Sequence, residues 1–329
     1  MAIVKKHGGA LRYAVHVLAA IAACSVAHPA IAQSYPARPI RFVVAFPPGG
    51  GADTLARIAG QQVAESVGQQ VVIDNRAGAG GNLAGEIAAR AAPDGYTLLQ
   101  TTVGHAIAMS LYQKLQFDLL RDFAPVTQLA STPFMLMVNP SLPAASVKEL
   151  IALAKSKPLN YASSGNGGPS HLAMELFRSA AQIDATHIPY KGVAPATTDL
   201  ITGQVSMMFS TISPAIPMIK AGKLRALGVA SPARSAAVPE VPTVSEAGIK
   251  GFEASTWFGV LVPAATPRPI VMKLHAEFTK ALKQPETRAR LVNQGYEVIG
   301  STPEQFAAYI KAEIPKWAKA VKQSGARVE

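Results

Sequence analysis

Residues 40–54 read IRFVVAFPPGGGADT, and the interpretation of the whole chain starts from this stretch. The apolar run from Ile40 to Ala45 predicts a buried β-strand. Pro47 to Gly51 form a turn, and beyond it apolar residues recur at helical spacing, with Asp53 placed to cap the helix. A glycine-rich turn between a strand and a helix lets backbone N–H groups and the positive end of the helix dipole approach a ligand closely. The stretch therefore predicts an anion-binding loop in an α/β protein.

The alternation of strand and helix continues along the chain, which is typical of parallel sheets covered by helices. Further strands are predicted at 71–74, 96–101, 160–163, 186–189 and 224–230, and helices at 82–91, at 146–156 and after Pro169, Pro267 and Thr302. In the last helix Phe306, Ile310, Ile314, Trp317 and Val321 form one apolar stripe, which indicates core packing.

Two extended apolar stretches, at 126–138 and 255–262, are long enough to cross between domains. They predict a two-lobed α/β clamshell of the type II periplasmic-binding-protein kind, with two connecting crossover strands. Lobe I is predicted to comprise residues 33–133 and 256–329, and lobe II residues 134–255. Such lobes would move as a hinged pair.

The N-terminus has the features of a secretory signal peptide spanning residues 1–32. Basic residues precede an apolar stretch, and Ala30-Ile31-Ala32 is an A-x-A cleavage site. An alternative is a lipoprotein cleavage site that would leave Cys24 lipidated. Both predict an exported, periplasmic protein.

Charge and cysteine content exclude several classes of function. Cleavage after Ala32 would remove three of the 31 basic residues and none of the 20 acidic ones, leaving a net charge of +8. The remaining Lys and Arg residues are scattered, so we expect no nucleic-acid partner. Cys24, the one cysteine, would also be removed, which excludes a thiol nucleophile and a disulfide. Neither His105 nor His171 is part of a His-x-Glu or His-x-x-x-His spacing, and we expect neither a metal nor a cofactor.

A second glycine-rich loop repeats the first one in the other predicted lobe. It runs from Ser163 to His171, again between a strand and a helix, and adds hydroxyl groups to the backbone donors. Neither loop is a nucleotide motif, because Gly-Lys-Ser/Thr is absent from the first and Ser170 stands at the third fingerprint position of the second. Either loop alone could be a tight connection and nothing more. Because the carboxyl ends of strands face the crevice in open α/β sheets, two such loops predict a clamp for an anion.

Thr101 to His105 form a third element, at the end of a strand beside the first loop. His105 and His171 are either ligand contacts or hydrogen-bonded structural groups. Ser164 with His171 as its base would make a secreted hydrolase, but no orienting acid is apparent from the sequence. The predicted ligand-binding residues are Phe46, Pro47, Gly49, Gly50, Gly51, Asp53, Thr101, Thr102, His105, Ser163, Ser164, Gly165, Asn166, Gly167, Gly168 and His171.

Five segments together resemble the Bug-type receptors, the substrate-binding proteins of tripartite tricarboxylate transporters. They read YPARPIRFVVAFPPGGGADTLAR, NRAGAGGNLAGEIAARAAPDGYTLL, YASSGNGGPSHLAMELF, HIPYKGVAPATTDLITGQVSMMF and PEVPTVSEAGIKGFEASTWFGVLVPAATP. The resemblance runs from Tyr35 to the C-terminus. It implies a monomeric, non-catalytic receptor that closes over a small carboxylate, whether a dicarboxylate, an amino acid or an aromatic acid, and passes it to a membrane permease.

The resemblance places the ligand-contacting segments on the two loops and on Thr101 and Thr102. Three positions depart from the family pattern: Ala45 replaces a common proline, Asn166 a small apolar residue, and Ser206 an acid. The resemblance implies a carboxylate held by N–H groups, hydroxyls and waters, and the loops contain no Lys or Arg. A sensory receptor of the same fold is an alternative that the sequence does not distinguish from a transport receptor.

Overall fold

A computed structural model describes residues 35–324 and residue 326. From Arg38 onward, the described residues form one compact unit. The predicted signal peptide, its cleavage site and Cys24 lie outside the described residues. Within the described part of the chain, no helix combines the length and the apolarity that a bilayer span requires.

The described chain contains ten strands and ten α-helices, and it alternates between the two as expected from the sequence. The strands are β1 (Ile40–Val44), β2 (Val71–Asn75), β3 (Thr97–Thr102), β4 (Phe123–Val138), β5 (Asn160–Ser163), β6 (Thr186–Pro189), β7 (Met207–Thr211), β8 (Arg225–Val229), β9 (Ser255–Pro263) and β10 (Glu297–Val298). The helices are α1 (Gly51–Val67), α2 (Asn82–Ala89), α3 (Val103–Leu111), α4 (Val147–Ser156), α5 (Pro169–Ala181), α6 (Val193–Ile201), α7 (Ile212–Lys220), α8 (Arg268–Lys283), α9 (Pro285–Asn293) and α10 (Pro303–Ser324).

Four helices and two strands, namely α3, α6, α7, α9, β7 and β10, have no counterpart in the sequence prediction. In α3, seven of nine residues are buried, so the helix lacks the polar face that produces a helical period. Helix α7 contains Pro217 in its interior, and proline is normally read as a helix breaker. Tertiary burial therefore decided elements that local pattern does not reveal.

Parallel pairing dominates each half of the sheet. Strand β1 lies between β2 and β3, parallel to both, and β5 lies between β6 and β7 in the same way. The strand order is β2-β1-β3-β9-β4-β7-β5-β6, with β8 and β10 also pairing β4. The carboxyl ends of the parallel strands lead into helices, which is the arrangement that places loops at a ligand crevice.

Strands β4 and β9 are the two predicted crossover strands. They pair antiparallel from Phe123 to Pro133 on β4, and from Phe134 onward β4 pairs instead with β7 and β8. Two core clusters lie wholly between residues 134 and 254, whereas the third joins residues before 124 and after 256, together with Leu172 and Leu176. The predicted fold class, a two-lobed α/β clamshell, is confirmed.

The apolar stripe of the last helix packs in this third cluster, as predicted. Helix α10 is also tied to β9 through Glu313, whose buried carboxylate accepts hydrogen bonds from the indole N–H groups of Trp257 and Trp317 at 2.9 and 2.8 Å.

The prediction that Asp53 is the N-cap of its helix is wrong. Helix α1 begins at Gly51, and Gly50 in an extended conformation (φ −86°, ψ 172°) is the N-cap without a side-chain bond. The buried Asp53 carboxylate instead accepts hydrogen bonds from the Gly49 N–H (3.0 Å), from Arg57 Nε (2.9 Å) and from Asn75 Nδ2 (3.0 Å). Asp53 therefore holds the first loop from behind, from the first turn of the helix.

We expect the Asp53 carboxylate to stabilise the fold in a pH-dependent way. Burial raises its pKa. The hydrogen bonds from Arg57, Gly49 and Asn75 lower the pKa by a larger amount, so the net pKa lies below its ordinary value. The stabilisation is then present above about pH 4 and is lost as pH falls through the folded-state pKa. Asp53→Asn should lower the free energy of unfolding by about 1–2 kcal/mol at pH 7, and the difference should shrink at pH 3.

Urea unfolding at both pH values measures this difference. The control is Asp184→Asn, because the Asp184 side chain is fully exposed despite its contact with Arg178. An equal loss at pH 7 and pH 3 would contradict the role of the charged form.

A second prediction concerns Gly259 on β9, which is covered by the Phe306 ring of α10. A Cβ at residue 259 would overlap that ring and lie 2.9 Å from the Thr127 carbonyl oxygen. Gly259→Ala should therefore lower the free energy of unfolding by about 1–3 kcal/mol. Adding Phe306→Leu should recover part of the loss, because it removes the overlapping ring atoms. A Gly259→Ala variant as stable as the wild type in urea would disprove this packing argument.

Candidate functional site

The two glycine-rich loops meet at a cleft that has an inner and an outer part. The inner chamber is a cavity of about 50 Å³. Its walls are Phe46, Gly50, Gly51, Ala52, Thr102, Phe134, Ser164, Pro169, Ser170, Val193, Phe209, Ser210, Thr211, Thr256 and Phe258. The outer cleft is larger, at about 900 Å³. It is lined by Ala45, Phe46, Pro47, Ala77, Gly78, Ala79, Gly80, Gly81, Tyr112, Ser164, Gly165, Asn166, Pro189, Tyr190, Lys191 and Gly192.

Helix N-termini dominate the inner chamber. The first residues or N-caps of α1, α3, α5, α6 and α7 all contribute to its walls, through Gly51, Thr102, Pro169, Val193 and Thr211. N–H groups in the first turn of a helix have no acceptor within the helix, and the dipole adds partial positive charge there. None of the described residues that line the chamber is Lys, Arg, Asp or Glu. Any positive potential in the chamber therefore comes from helix ends and not from a charged side chain.

Most of the remaining wall is apolar. Phe46, Phe134, Phe209 and Phe258 lie around the chamber together with Val193. Phe46 and Ser164 border both the chamber and the outer cleft. A ligand with an anionic end and an apolar body matches these walls.

The second loop depends on glycine conformations and on hydroxyl contacts. Gly165 (φ +154°) and Gly167 (φ +68°) adopt backbone angles that favour glycine. Ser170 Oγ accepts a hydrogen bond from the Ser164 N–H at 3.0 Å and lies 2.9 Å from Ser164 Oγ. These contacts fold the loop over the start of α5 and turn Ser164 toward the ligand space.

His171 supports this loop from below. Its Nδ1 accepts a hydrogen bond from the Gly167 N–H at 3.1 Å, and its ring stacks on His187 with 3.9 Å between centroids. The Nε2 atom of His187 lies 2.7 Å from Ser163 Oγ. Burial lowers the pKa of His171 and lowers that of His187 to about 3, so both rings are neutral at neutral pH.

His105 has a similar supporting role in the other half of the cleft. Its Nδ1 accepts a hydrogen bond from the Thr102 N–H at 3.2 Å, and Nε2 lies 3.2 Å from the Gly81 carbonyl oxygen. Burial lowers the pKa of His105 to about 4. The ring therefore joins the end of β3 to the segment before α2.

The predicted site residues fall into three groups. The inner chamber receives Phe46, Gly50, Gly51, Thr102 and Ser164, and the outer cleft receives Phe46, Pro47, Ser164, Gly165 and Asn166. Gly49, Asp53, Thr101, His105, Ser163, Gly167, Gly168 and His171 line neither space. Within the third group, Asp53, His105 and His171 hold the loops in place from behind.

Several lining residues are missed by sequence reasoning. Chief among them is the corner between β7 and α7, where Ser210 and Thr211 face the inner chamber. The sequence pattern that could have indicated this corner is a pair of hydroxyl residues at the end of an apolar run, as in the second loop. Lys191 lies outside both glycine-rich loops in the sequence, yet it lines the outer cleft.

The geometry does not arrange Ser164 and His171 as a nucleophile and its base. Ser164 Oγ bonds Ser170, while His171 uses Nδ1 for Gly167 and turns Nε2 toward Glu175 at 4.0 Å. Among the described residues, no group of three or more His, Cys, Asp or Glu side chains is placed to hold a metal ion.

Solved structures of similar chains share the whole fold. The chain is 36% identical to Rpa4515 of R. palustris, described with adipate, with a TM-score of 0.87 over 89% of this chain and all of that one. It is 36% identical to MatC of Rhodopseudomonas palustris, described with bound malate, with a TM-score of 0.83 over 87% of this chain and all of that one. The periplasmic binding protein BugD is 34% identical, with a TM-score of 0.86 over 90% of this chain and all of BugD.

Sequence comparison agrees with these structures. The chain is 37% identical to Protein BugT of Bordetella pertussis (strain Tohama I) over 313 residues, which is 94% of this chain and 96% of BugT. Residues 55–326 match the family described as "Tripartite tricarboxylate transporter family receptor". The chain therefore belongs to the tripartite tricarboxylate transporter receptor family, and it is a solute-binding receptor of the periplasmic, Bug-type kind, not an enzyme.

Proposed function

We propose that this protein binds a small carboxylate between its two lobes and delivers it to the membrane permease of a tripartite tricarboxylate transporter. The observation that carries the proposal is the convergence of five helix N-termini on a chamber without ionisable side chains among its described walls. Such a chamber stabilises a carboxylate by charge-assisted hydrogen bonds from N–H groups. Family membership supports the permease as the partner.

The ligand is proposed to be an acid without an amino group. Adipate and malate are the ligands described for two similar structures, and both are dicarboxylates. None of the described residues lining the inner chamber or the outer cleft is Asp or Glu, so an ammonium group would lack a counter-ion. Phe46, which borders the larger outer cleft, offers a contact for the ring of an aromatic acid, whereas an amino acid is disfavoured.

Closure is proposed to occur between lobe I, residues 33–133 and 256–329, and lobe II, residues 134–255. The boundary is supported by the change of β4 partners between Pro133 and Phe134, and by two core clusters confined to residues 134–254. The lobes touch across the cleft at Gly192, where a Cβ would lie 2.7 Å from Pro47 Cγ. A ligand that contacts both sides favours this closed arrangement over an open one.

The mature receptor is proposed to be periplasmic and monomeric, with its signal peptide removed after Ala32. Membership of a periplasmic receptor family supports the location. N-terminal sequencing of the exported protein and light scattering of the purified protein test these two points.

The function is tested by calorimetric titration of the purified receptor with malate, adipate, citrate, benzoate and aspartate. We expect at least one of the acids that lack an amino group to bind, and aspartate to bind at least about tenfold more weakly, which corresponds to about 1.4 kcal/mol. Native mass spectrometry of protein purified without refolding identifies any acid carried from the cell. A receptor that binds none of these acids and carries none would contradict the proposal.

The type of contact is tested with three single variants. Ser164→Ala removes a hydroxyl at the meeting point of chamber and cleft, and Gly50→Val places a side chain into space where the added Cβ itself meets no atom closer than 3.8 Å. Both should weaken binding of the identified acid by about tenfold or more. Lys191→Ala, at the exposed rim of the outer cleft, should change it less than about threefold. Loss of binding in Lys191→Ala with intact binding in Ser164→Ala would mean that a salt bridge holds the ligand.

A further inference from the structure

The corner between β7 and α7 contains two hydroxyl groups without a partner. Ser210 is 2% exposed and Thr211 is 8% exposed, and neither hydroxyl oxygen has a hydrogen-bond partner. Buried polar groups in folded proteins are normally hydrogen-bonded, because an unpaired one has lost its contacts with water. Two adjacent exceptions at one wall of a cavity indicate that something outside the protein completes them.

Thr211 is also the N-cap residue of α7. An N-cap threonine ordinarily accepts a hydrogen bond from an N–H of the first turn, but the Thr211 side chain makes no such bond. The N–H groups of the first turn therefore keep their capacity to donate, as does the hydroxyl. Helix α7 has nine residues, enough for an ordered first turn and an aligned dipole.

The corner lies against the start of α1, and both border the inner chamber. Gly51 approaches it so closely that a Cβ at residue 51 would lie 2.7 Å from Thr211 Oγ1. Only a residue without a side chain allows this approach, and it sets the N-terminus of a lobe I helix against the N-terminus of a lobe II helix. Other buried polar atoms without a partner belong to Asn82, Gln100, Arg178 and His275, and none of these residues lines the chamber.

We propose that Ser210, Thr211 and the first turn of α7 form a carboxylate-binding subsite that holds one end of the ligand against the N-terminus of α1. The inference rests on the proposed function and adds the site in lobe II that binds the carboxylate. This site, the β7–α7 corner, lies outside both glycine-rich loops.

The chemistry of the subsite specifies an anionic oxygen. Hydroxyl and N–H groups are both donors, and the dipoles of α1 and α7 point their positive ends at the same space. A chamber of about 50 Å³ admits a carboxylate with an adjoining carbon, so the body of a longer acid must extend past Phe46 and Ser164 into the outer cleft. The ligand is therefore bound end-on, with its first carboxylate at the β7–α7 corner.

The subsite is tested with Ser210→Ala, with Thr211→Val, which keeps the shape of the side chain, and with both together. The control is Thr266→Val, because Thr266 is buried too but donates a hydrogen bond to the Pro263 carbonyl at 2.7 Å, away from the cleft. The probe is ¹³C-labelled acetate, a carboxylate small enough for the chamber, observed by NMR line broadening at matched ionic strength. Thermal unfolding of each variant is measured without ligand.

We expect Thr211→Val to weaken acetate binding by about ten- to a hundredfold, and the double variant by at least as much. Without ligand, Thr211→Val should be as thermally stable as the wild type or more stable, because the variant removes an unpaired buried hydroxyl. Thr266→Val should show the opposite combination: lower stability and unchanged acetate binding. If Thr211 had a purely structural role, Thr211→Val would not weaken acetate binding while leaving thermal stability unchanged or higher.

The outcomes distinguish this inference from the proposed function. Acetate binding that is unchanged in the double variant, or a wild type that does not bind acetate, overturns the subsite. If malate, adipate, citrate or benzoate still binds the wild type in that case, the receptor function stands without the subsite. If acetate binds through the corner but none of those acids binds, the subsite stands and the proposed ligand class fails.

Discussion

The antiparallel pairing of β4 with β9 is the constraint on which the rest of the molecule depends. The chain crosses between the two halves on these strands, and they are hydrogen-bonded to each other from Phe123 to Pro133. Each half then adds parallel strands on its own side, so the carboxyl ends of β1, β3, β5 and β7 lead into loops and helices that meet at one cleft. Because the crossing strands are paired, the two halves can close without losing register.

The site uses dipoles where many anion sites use charged side chains. Five helix N-termini border the inner chamber, and its described walls carry no ionisable group. N–H groups held by helices need little reorganisation when the ligand arrives, and the absence of a buried salt bridge avoids a large desolvation penalty. Both properties suit a receptor that must release what it binds.

Charged and titratable residues act one layer behind this wall. Asp53 fixes the first loop through the Gly49 N–H, and the neutral rings of His105 and His171 accept hydrogen bonds from Thr102 and Gly167. Residues that resemble catalytic or ligating groups in the sequence thus serve as acceptors for loop N–H groups. Their burial lowers the histidine pKa values and keeps the rings able to accept.

The sequence by itself determined the fold class, the two crossover strands and the two glycine-rich loops, because strand periodicity, strand-to-helix turns and glycine conformations are local properties of the chain. Local pattern also placed Phe46, Gly50, Gly51 and Ser164 at the site. Only the tertiary structure decided that α1 starts at Gly51 and that Lys191 lines the cleft. Tertiary contacts alone brought Ser210 and Thr211 opposite Gly51, about 160 residues away. Such contacts depend on how the lobes pack across the β4–β9 pair, and a short stretch of sequence carries no information about contacts between residues so far apart in the chain.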